Sequence, residues 1–246
     1  MDRMLYVAMS GAKQTMLAQA VNTNNLANAS TSGFRADLAT FHSVPIYGPG
    51  QQSRTYAVAE QPGIDASEGA LLTTGRELDM AVKGQGWIAV QAPDGSEAYT
   101  RAGDLRISAT GQLTNGAGHA VLGNGGPIAV PAFEKLEIGA DGTISIRPVG
   151  QSATTLAIVD RIKLVKPPVD QMYKGDDGLM RLKDNATLPP DASIQVVSGV
   201  LESSNVNAVE SMVNMISLSR QFEMQIKLMK TAEDNDSAAS QIMRLG

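Results

Sequence analysis

The chain is predicted to be an α+β protein whose N- and C-terminal helices pair as a coiled-coil-like bundle, with an all-β domain inserted between them. Three observations predict this. Residues 206–229 contain no Gly or Pro and repeat apolar side chains at helical spacing. Residues 2–29 keep the same spacing, with one Gly at position 11 and fewer charges. Between 76 and 190 the pattern changes to short apolar runs cut by Gly turns, spaced about 8–12 residues apart as in all-β sandwiches and open barrels.

In the C-terminal helix, Met212, Met215, Ser219, Phe222, Ile226 and Met229 alternate three- and four-residue steps, the seam of a coiled coil with one small polar interruption. Val206, Val209, Val213 and Ile216 form a second apolar stripe beside it. Two stripes on one helix call for neighbours on two sides. Ser203, Ser204 and Asn205 offer N-cap oxygens. Glu210 near the start and Lys227 and Lys230 toward the end suit the helix dipole. The acidic stretch Glu233-Asp234-Asn235-Asp236 reads as a polar helix face or a frayed tail.

The N-terminal helix keeps the same spacing through Leu5, Met9, Ala12, Met16, Gln19, Thr23 and Leu26, with Leu17 and Val21 alongside. Asp2, Arg3 and Lys13 are its few charges, so it too is expected to be covered. Asn22, Asn24, Asn25 and Asn28 crowd its end, since Asn is a poor helix former and a good terminator. Ala29-Ser30-Thr31-Ser32-Gly33 then breaks the helix, leaving Phe34 to dock back on it.

Five segments follow: an N-terminal helix of the helical core (1–35), an extended linker (36–75), the β domain (76–190), a return segment (191–205) and the C-terminal helix (206–246). Pro45, Gly48, Pro49, Gly50, Gln51 and Gln52 read as an exposed loop in the linker, and Pro62-Gly63 as a turn. In the β domain, Pro93-Asp94-Gly95, Asp141-Gly142 and Asp176-Asp177-Gly178 are turns between strands such as Trp87-Ile88-Ala89-Val90 and Ile144/Ile146.

Composition narrows the function. A net charge of −5 over 246 residues disfavours nucleic-acid binding, which needs clustered Lys and Arg. Aromatic residues make up 4%, too few for stacking platforms or aromatic sugar clefts, and the absence of Cys removes thiolate nucleophiles, disulfides and Cys-ligated metals. The two histidines, His42 and His119, lie in unrelated contexts and do not amount to a zinc set. Gly84-x-Gly86 is a hairpin turn rather than half of a dinucleotide motif, and no nucleophile–base pair is identifiable. No catalytic residue, cofactor or metal is expected. The apolar run at the N-terminus is broken by Ser10, Gly11 and Lys13, short of the roughly 7–15 residues of a cleaved signal. No stretch approaches the roughly 18 apolar residues needed to span a membrane.

Three separated motifs, in order, resemble the bacterial flagellar rod and hook proteins. The first is Asn24-Asn25-Leu26-Ala27-Asn28-Ala29-Ser30-Thr31-Ser32-Gly33-Phe34-Arg35-Ala36-Asp37. The second is Leu72-Thr73-Thr74-Gly75-Arg76-Glu77-Leu78-Asp79-Met80-Ala81-Val82, continued by Gly84-x-Gly86-Trp87 and Tyr99-Thr100-Arg101-x-Gly103. The third is Ser198-Gly199-Val200-Leu201-Glu202-Ser203-Ser204-Asn205-Val206-Asn207, continued by Arg220-Gln221-Phe222-Glu223. Within the family the chain is most similar to the proximal rod type. A distal rod or hook-type member of the same axial family is the nearest competing reading, and a secreted β-rich hydrolase or glycan-binding protein a remoter one.

The resemblance implies a structural subunit of the basal-body rod, passed through the flagellar type III export apparatus without a cleaved signal peptide and polymerising with other rod proteins in the periplasm. Its terminal helices would form the inner tube of a torque-transmitting shaft. The assembly interface is then expected at Leu5, Met9, Met16, Leu26, Asn25, Asn28 and Phe34 on the N-terminal side. On the C-terminal side it comprises Val206, Val209, Met212, Val213, Met215, Ile216, Phe222, Ile226 and Met229.

Overall fold

Helix α1 spans Arg3–Ala27 and helix α2 spans Ala208–Arg244. They come from a computed structural model that describes residues 3–45, 55–59, 63–150, 156–184 and 186–244. Between them the chain is built of antiparallel strands, so the protein is α+β. The loop read at Gly48 to Gln52 and Pro62 of the Pro62-Gly63 turn fall outside the described residues. Among the described residues no helix is long and apolar enough to cross a membrane.

Contacts divide the chain into a helical unit (1–29, 36–65 and 206–246) and a β unit (30–35 and 66–205). The helical unit holds α1 and α2 in mutual contact, together with two ribbons from the stretch read as a linker. One ribbon pairs Asp37–Leu38 with Gly63–Ile64, and the other pairs Phe41–Pro45 with Thr55–Ala59. The second ribbon packs against α1.

The β unit differs from a single sandwich or barrel. A five-stranded sheet, a three-stranded sheet and two ribbons share one apolar core, and a third ribbon lies outside it. The five-stranded sheet runs in the order Leu164–Val165, Trp87–Gln91, Glu97–Thr100, Met180–Leu182, Met172–Lys174. Residues 87–90 are all buried, so this strand is covered on both faces. In the three-stranded sheet, strand Thr143–Pro148 lies between Phe133–Ile138 and Ala157–Arg161. Its register sets Leu136 against Ile146 and Ile138 against Ile144. Those residues face the core, while the intervening Thr143, Ser145 and Arg147 are only half-buried.

The stretch read as a return segment is two strands. Gln195–Ser198 pairs with Met80–Lys83, and Val200–Glu202 with Leu71–Thr73. Residues far apart in sequence therefore close the β unit.

That closure is anchored by charge. The Glu202 side chain is 1% exposed, yet it takes two ion pairs. Arg35 Nη2 donates to Oε1 at 2.5 Å and Arg101 Nη1 to Oε2 at 3.0 Å. The backbone N–H of Gly69 also donates to Oε1, at 3.0 Å. Arg101 spends its remaining reach on two carbonyls, Val82 O at 3.2 Å and Gly84 O at 2.5 Å. Both guanidiniums lie by the Trp87 ring, with Cζ 5.5 Å (Arg101) and 6.0 Å (Arg35) from its centroid. Burial holds the Arg101 pKa below its ordinary value, against the pull of Glu202.

Glycines let the chain crowd around this node. Gly33 has φ +67°, and a Cβ there would lie 2.2 Å from the Arg101 carbonyl carbon. Its N–H donates to Glu202 O at 2.8 Å. A Cβ on Gly69 would lie 1.9 Å from Ser203 O, so both segments approach at backbone distance.

The turns repeat one chemical device. Asp94 Oδ1 accepts from Ser96 N and Oγ, and Asp191 Oδ1 from Ser193 N and Oγ. Asp141 accepts from Thr143 in the same way. Asp177 accepts from Leu179 N and is bridged twice by Arg181. These bonds favour the ionised carboxylate and hold all four pKa values below the ordinary aspartate value. The leading cause is the side-chain bond from Ser96, Thr143, Arg181 and Ser193 respectively.

Two predictions follow from this chemistry. Glu202→Gln leaves two buried guanidiniums without their counter-charge and is expected to cost about 3–5 kcal/mol. Urea denaturation monitored at Trp87 reads it directly. Lys135→Ala, which removes an exposed pair with Glu137, should leave the same transition unmoved. Since the four aspartates have depressed folded-state pKa values, their contribution is complete above the unfolded aspartate pKa. It is lost as pH falls through the lower folded values. Thermal melts should therefore stay level across mildly acidic pH and drop below the ordinary aspartate range. Asn replacements at Asp94 and Asp141 should flatten that drop.

Candidate assembly interface

Two terminal helices make the helical unit, and each has an inner and an outer face. The inner face of α1 is made of small residues. Ala8, Ala12, Thr15 and Ala18 are buried, and a Cβ on Gly11 would lie 2.9 Å from the Gln225 side chain of α2. The matching face of α2 buries Ser211 and Ala232 and half-buries Met215, Leu218, Phe222, Gln225 and Met229. These residues follow alternating four- and three-residue steps. Small side chains bring the helix backbones close enough for Asn22 Nδ2 to donate to Ser211 O at 2.7 Å.

The asparagines at the end of α1 do separate jobs. Asn25 acts as a strand partner to Asp37: its Nδ2 donates to Asp37 O at 2.9 Å, and its Oδ1 accepts from Asp37 N at 2.8 Å. Asn28 closes the helix, its backbone N–H shared between Asn24 O and Asn25 O and its side chain donating to Asn24 O. A third asparagine starts α2. Asn207 Oδ1 accepts from Val209 N at 3.1 Å and Glu210 N at 3.3 Å, so Asn207 is the N-cap rather than Ser203, Ser204 or Asn205. Because α2 continues through the acidic stretch to Arg244, Lys227 and Lys230 lie inside it and not at its C-terminal turn.

The outer faces remain apolar. On α2, Val209, Met212, Val213 and Ile216 stand at i, i+3, i+4 and i+7, on the side opposite Met215 and Phe222, with Val209 71% and Val213 60% exposed. Arg220, Glu223 and Lys227 continue that face with charge, so the apolar stripe is confined to the first turns. On α1, Tyr6, Met9, Met16 and Leu17 are exposed around Lys13.

The residues expected at the interface therefore separate into two sets. Leu5, Asn25, Leu26, Met215, Phe222 and Met229 are half-buried within the helical unit. Met9, Met16, Val209, Met212, Val213, Ile216 and Ile226 are exposed. Of the expected α2 seam, Met215, Phe222 and Met229 are half-buried, and Met212, Ser219 and Ile226 are exposed. Of the expected α1 seam, Leu5, Ala12, Gln19 and Leu26 are buried or half-buried, and Met9, Met16 and Thr23 are exposed. The reason is that close helix packing selects Ala, Ser and Thr over larger apolar neighbours. Asn28 and Val206 are half-buried. Phe34 belongs to the β unit, where Lys174 Nζ sits 3.7 Å from its ring centroid.

Sequence reasoning assigned no role to Arg35, Arg101 or Glu202. The available signal was a charged residue among small or apolar neighbours in each of the three motifs. His42 is exposed on strand Phe41–Pro45 and His119 half-buried beside Asn115. Among the described residues no group of three His, Asp or Glu side chains is placed to hold a metal.

Comparison with known proteins bears on these motifs. Residues 5–35 match the model for flagella basal body rod proteins. Residues 81–146 match the D1 domain of flagellar hook protein FlgE/F/G, and 197–242 match the flagellar basal body rod FlgEFG C-terminal domain. The chain is 47% identical over 251 residues to the flagellar basal-body rod protein FlgF of Escherichia coli K12, covering 100% of both chains. It is 46% identical to FlgF of Salmonella typhimurium LT2, again over 100% of both. Against FlgG of Bacillus subtilis 168 the identity is 31%, over 95% of this chain and 96% of that one. With all three motifs matched and full-length identity of this order, the chain belongs to the flagellar basal-body rod protein family.

Proposed function

We propose that the chain is a structural subunit of the proximal rod, polymerising through the outer faces of α1 and α2 to build the shaft that transmits torque. The observation that carries this reading is the exposed Val209, Met212, Val213, Ile216 stripe, on the side of α2 turned away from α1. Exposed apolar surface at regular helical spacing is unfavourable in water and marks a surface that another chain covers. The alternating steps through Ser211, Met215, Leu218, Phe222, Gln225 and Met229 support coiled-coil-like pairing of α1 with α2 inside the subunit. The outer stripes are then left for neighbouring subunits. Such contacts are heterologous, one face against a different face of the next copy, and so propagate as a helix rather than closing on themselves.

The family is a structural component of the flagellum and not an enzyme. In this reading, residues 1–29, 36–65 and 206–246 serve the helical core, and 30–35 and 66–205 the β domain. The partners are other rod subunits and the type III export apparatus. The place of work is the periplasmic rod. The identity of 47% and 46% to the FlgF proteins of Escherichia coli and Salmonella typhimurium, against 31% to FlgG of Bacillus subtilis, supports the proximal type over the distal one.

Two experiments test the reading. Val213→Asp and Ile216→Asp alter exposed positions, so the purified monomer should keep its helix content and melting temperature. Cells carrying either change should assemble no complete rod and fail to swim. Normal swimming by the double variant would overturn the assignment. Met215→Asp, which faces α1, should instead lower helicity in the monomer itself. The second experiment concerns order. The α1–α2 seam buries mainly methyl-sized groups, and helices with so little apolar cover open readily. Hydrogen exchange on the monomer should be fast across Ala208–Arg244 and slow in strand Trp87–Gln91, with α2 becoming protected on assembly.

A further inference from the structure

We propose that Asn124 is a site of spontaneous covalent modification: in the folded chain it deamidates through a cyclic imide formed with Gly125, while the other Asn-Gly and Asp-Gly pairs are held unreactive. The site lies apart from the helical faces and does not depend on the assembly reading. The chain has two Asn-Gly pairs, Asn115-Gly116 and Asn124-Gly125. It has three Asp-Gly pairs, Asp94-Gly95, Asp141-Gly142 and Asp177-Gly178. All five lie in the β unit.

The reaction has two requirements. The glycine amide nitrogen must be free to lose its proton and attack the preceding side-chain carbonyl carbon. The side chain must be free to swing onto it. Glycine allows the approach because it has no Cβ to crowd the forming ring. At Asn124 the bond from Gly125 N to Cγ forms and the Cγ–Nδ2 bond breaks. The amide leaves as ammonia, which takes up the proton lost by Gly125 N. Water then opens the imide at either carbonyl, giving aspartate or isoaspartate.

Four of the five pairs fail a requirement. The Gly95 and Gly142 N–H groups donate to Ala92 O and Gly139 O at 2.9 Å, and that of Gly178 to Gly175 O at 3.0 Å. The Asp94, Asp141 and Asp177 side chains are tied to Ser96, Thr143 and Arg181 and favoured in the ionised form, which offers no leaving group. Asn115 is 2% exposed, and its Oδ1 accepts from His119 N at 2.9 Å. Its backbone N–H donates to His119 O and its carbonyl accepts from Gly118 N, both at 2.9 Å.

Asn124 meets both requirements. It is exposed at the tip of a tight loop, where Gly123 N donates to Gly126 O at 2.7 Å and Leu122 is bridged to Pro127. Among the described residues, neither the Asn124 side chain nor the Gly125 N–H has a hydrogen-bond partner in the chain. A Cβ on Gly125 would meet nothing within 4 Å, so the attacking nitrogen has open space around it. The product puts a new carboxylate on the cavity wall that Asn124 shares with Glu97 and Lys163. Isoaspartate also lengthens the backbone next to Gly123, which is bridged to Ile162.

The test is incubation of the native full chain at mildly alkaline pH, followed by peptide mapping with mass spectrometry. Residue 124 should show the mass gain of an amide-to-acid change in both aspartate and isoaspartate peptides, while Asn115 stays an amide. In urea Asn115 should convert as well, because the native chain exposes it only through rare opening. Gly125→Ala fits the open space, so the melting temperature should hold while conversion at 124 slows. Asn124→Ser should abolish the acidic form that accumulates on anion exchange. An amide retained at 124 in the native chain, or conversion of Asn115 as fast as Asn124 there, would overturn the proposal. So would an Asn115 that resists urea, aspartate formed without isoaspartate, or an undiminished rate in Gly125→Ala.

Discussion

One carboxylate holds three parts of the chain together. Glu202 sits beyond position 200 in the sequence, yet it binds Arg35 from just after α1 and Arg101 from the middle of the β unit. It also takes the N–H of Gly69 from the stretch between the helical unit and the core strands. Such a group is expensive to bury unless it is paired and hydrogen-bonded, and here three donors reach it. The consequence is that none of the three motifs can form its native local structure alone. Gly33, Gly69 and the Arg101–Gly103 segment must approach at backbone distance for the charges to meet, and a Cβ on Gly103 would lie 1.7 Å from Met80 O. The node thus works as a specificity device as much as a source of stability. It is satisfied in one arrangement of the chain, and any slip in the Val200–Glu202 pairing would strand a charge.

The two units solve opposite problems. The β unit closes on itself, with Ile88, Leu105, Leu113, Val121, Ile144 and Leu164 within one core and its turns tied by aspartates that cap the following N–H groups. The helical unit leaves its larger side chains outward. Its seam of Ala8, Ala12, Thr15, Ala18, Ser211 and Ala232 allows close approach but buries little apolar area, so packing adds modestly to the intrinsic stability of the helices. The two units therefore differ in how much apolar surface each buries within itself.

Charge patterning along α2 sharpens the same point. The apolar outer stripe ends at Ile216, and Arg220, Glu223 and Lys227 take over the face. A stripe running the whole length of Ala208–Arg244 would drive indiscriminate bundling of free subunits. A short stripe backed by mixed charge limits the apolar surface left exposed.

The element types and much of the chemistry were legible in the sequence by itself. The absence of Gly and Pro over 206–229, the asparagines ending α1 and the Asp-Gly turns each reflect a local backbone preference, and local preferences need no tertiary partner to be read. So does the alternation of Leu136/Ile138 and Ile144/Ile146, which became facing core residues. Three things were decided only by the tertiary structure. Stretches 66–75 and 191–205 read as connectors because their strands are short and their partners lie more than 100 residues away; pairing across that separation leaves no local trace. The helix seam took Ala8, Thr15, Ser211 and Gln225 over Met9, Met16, Met212 and Ile226, because the distance between two backbones, and not hydropathy, chooses what fits between them. Finally, Arg35, Arg101 and Glu202 each look like an ordinary surface charge in sequence. Only the fold brings them within hydrogen-bonding distance and removes the water that would otherwise make their pairing weak.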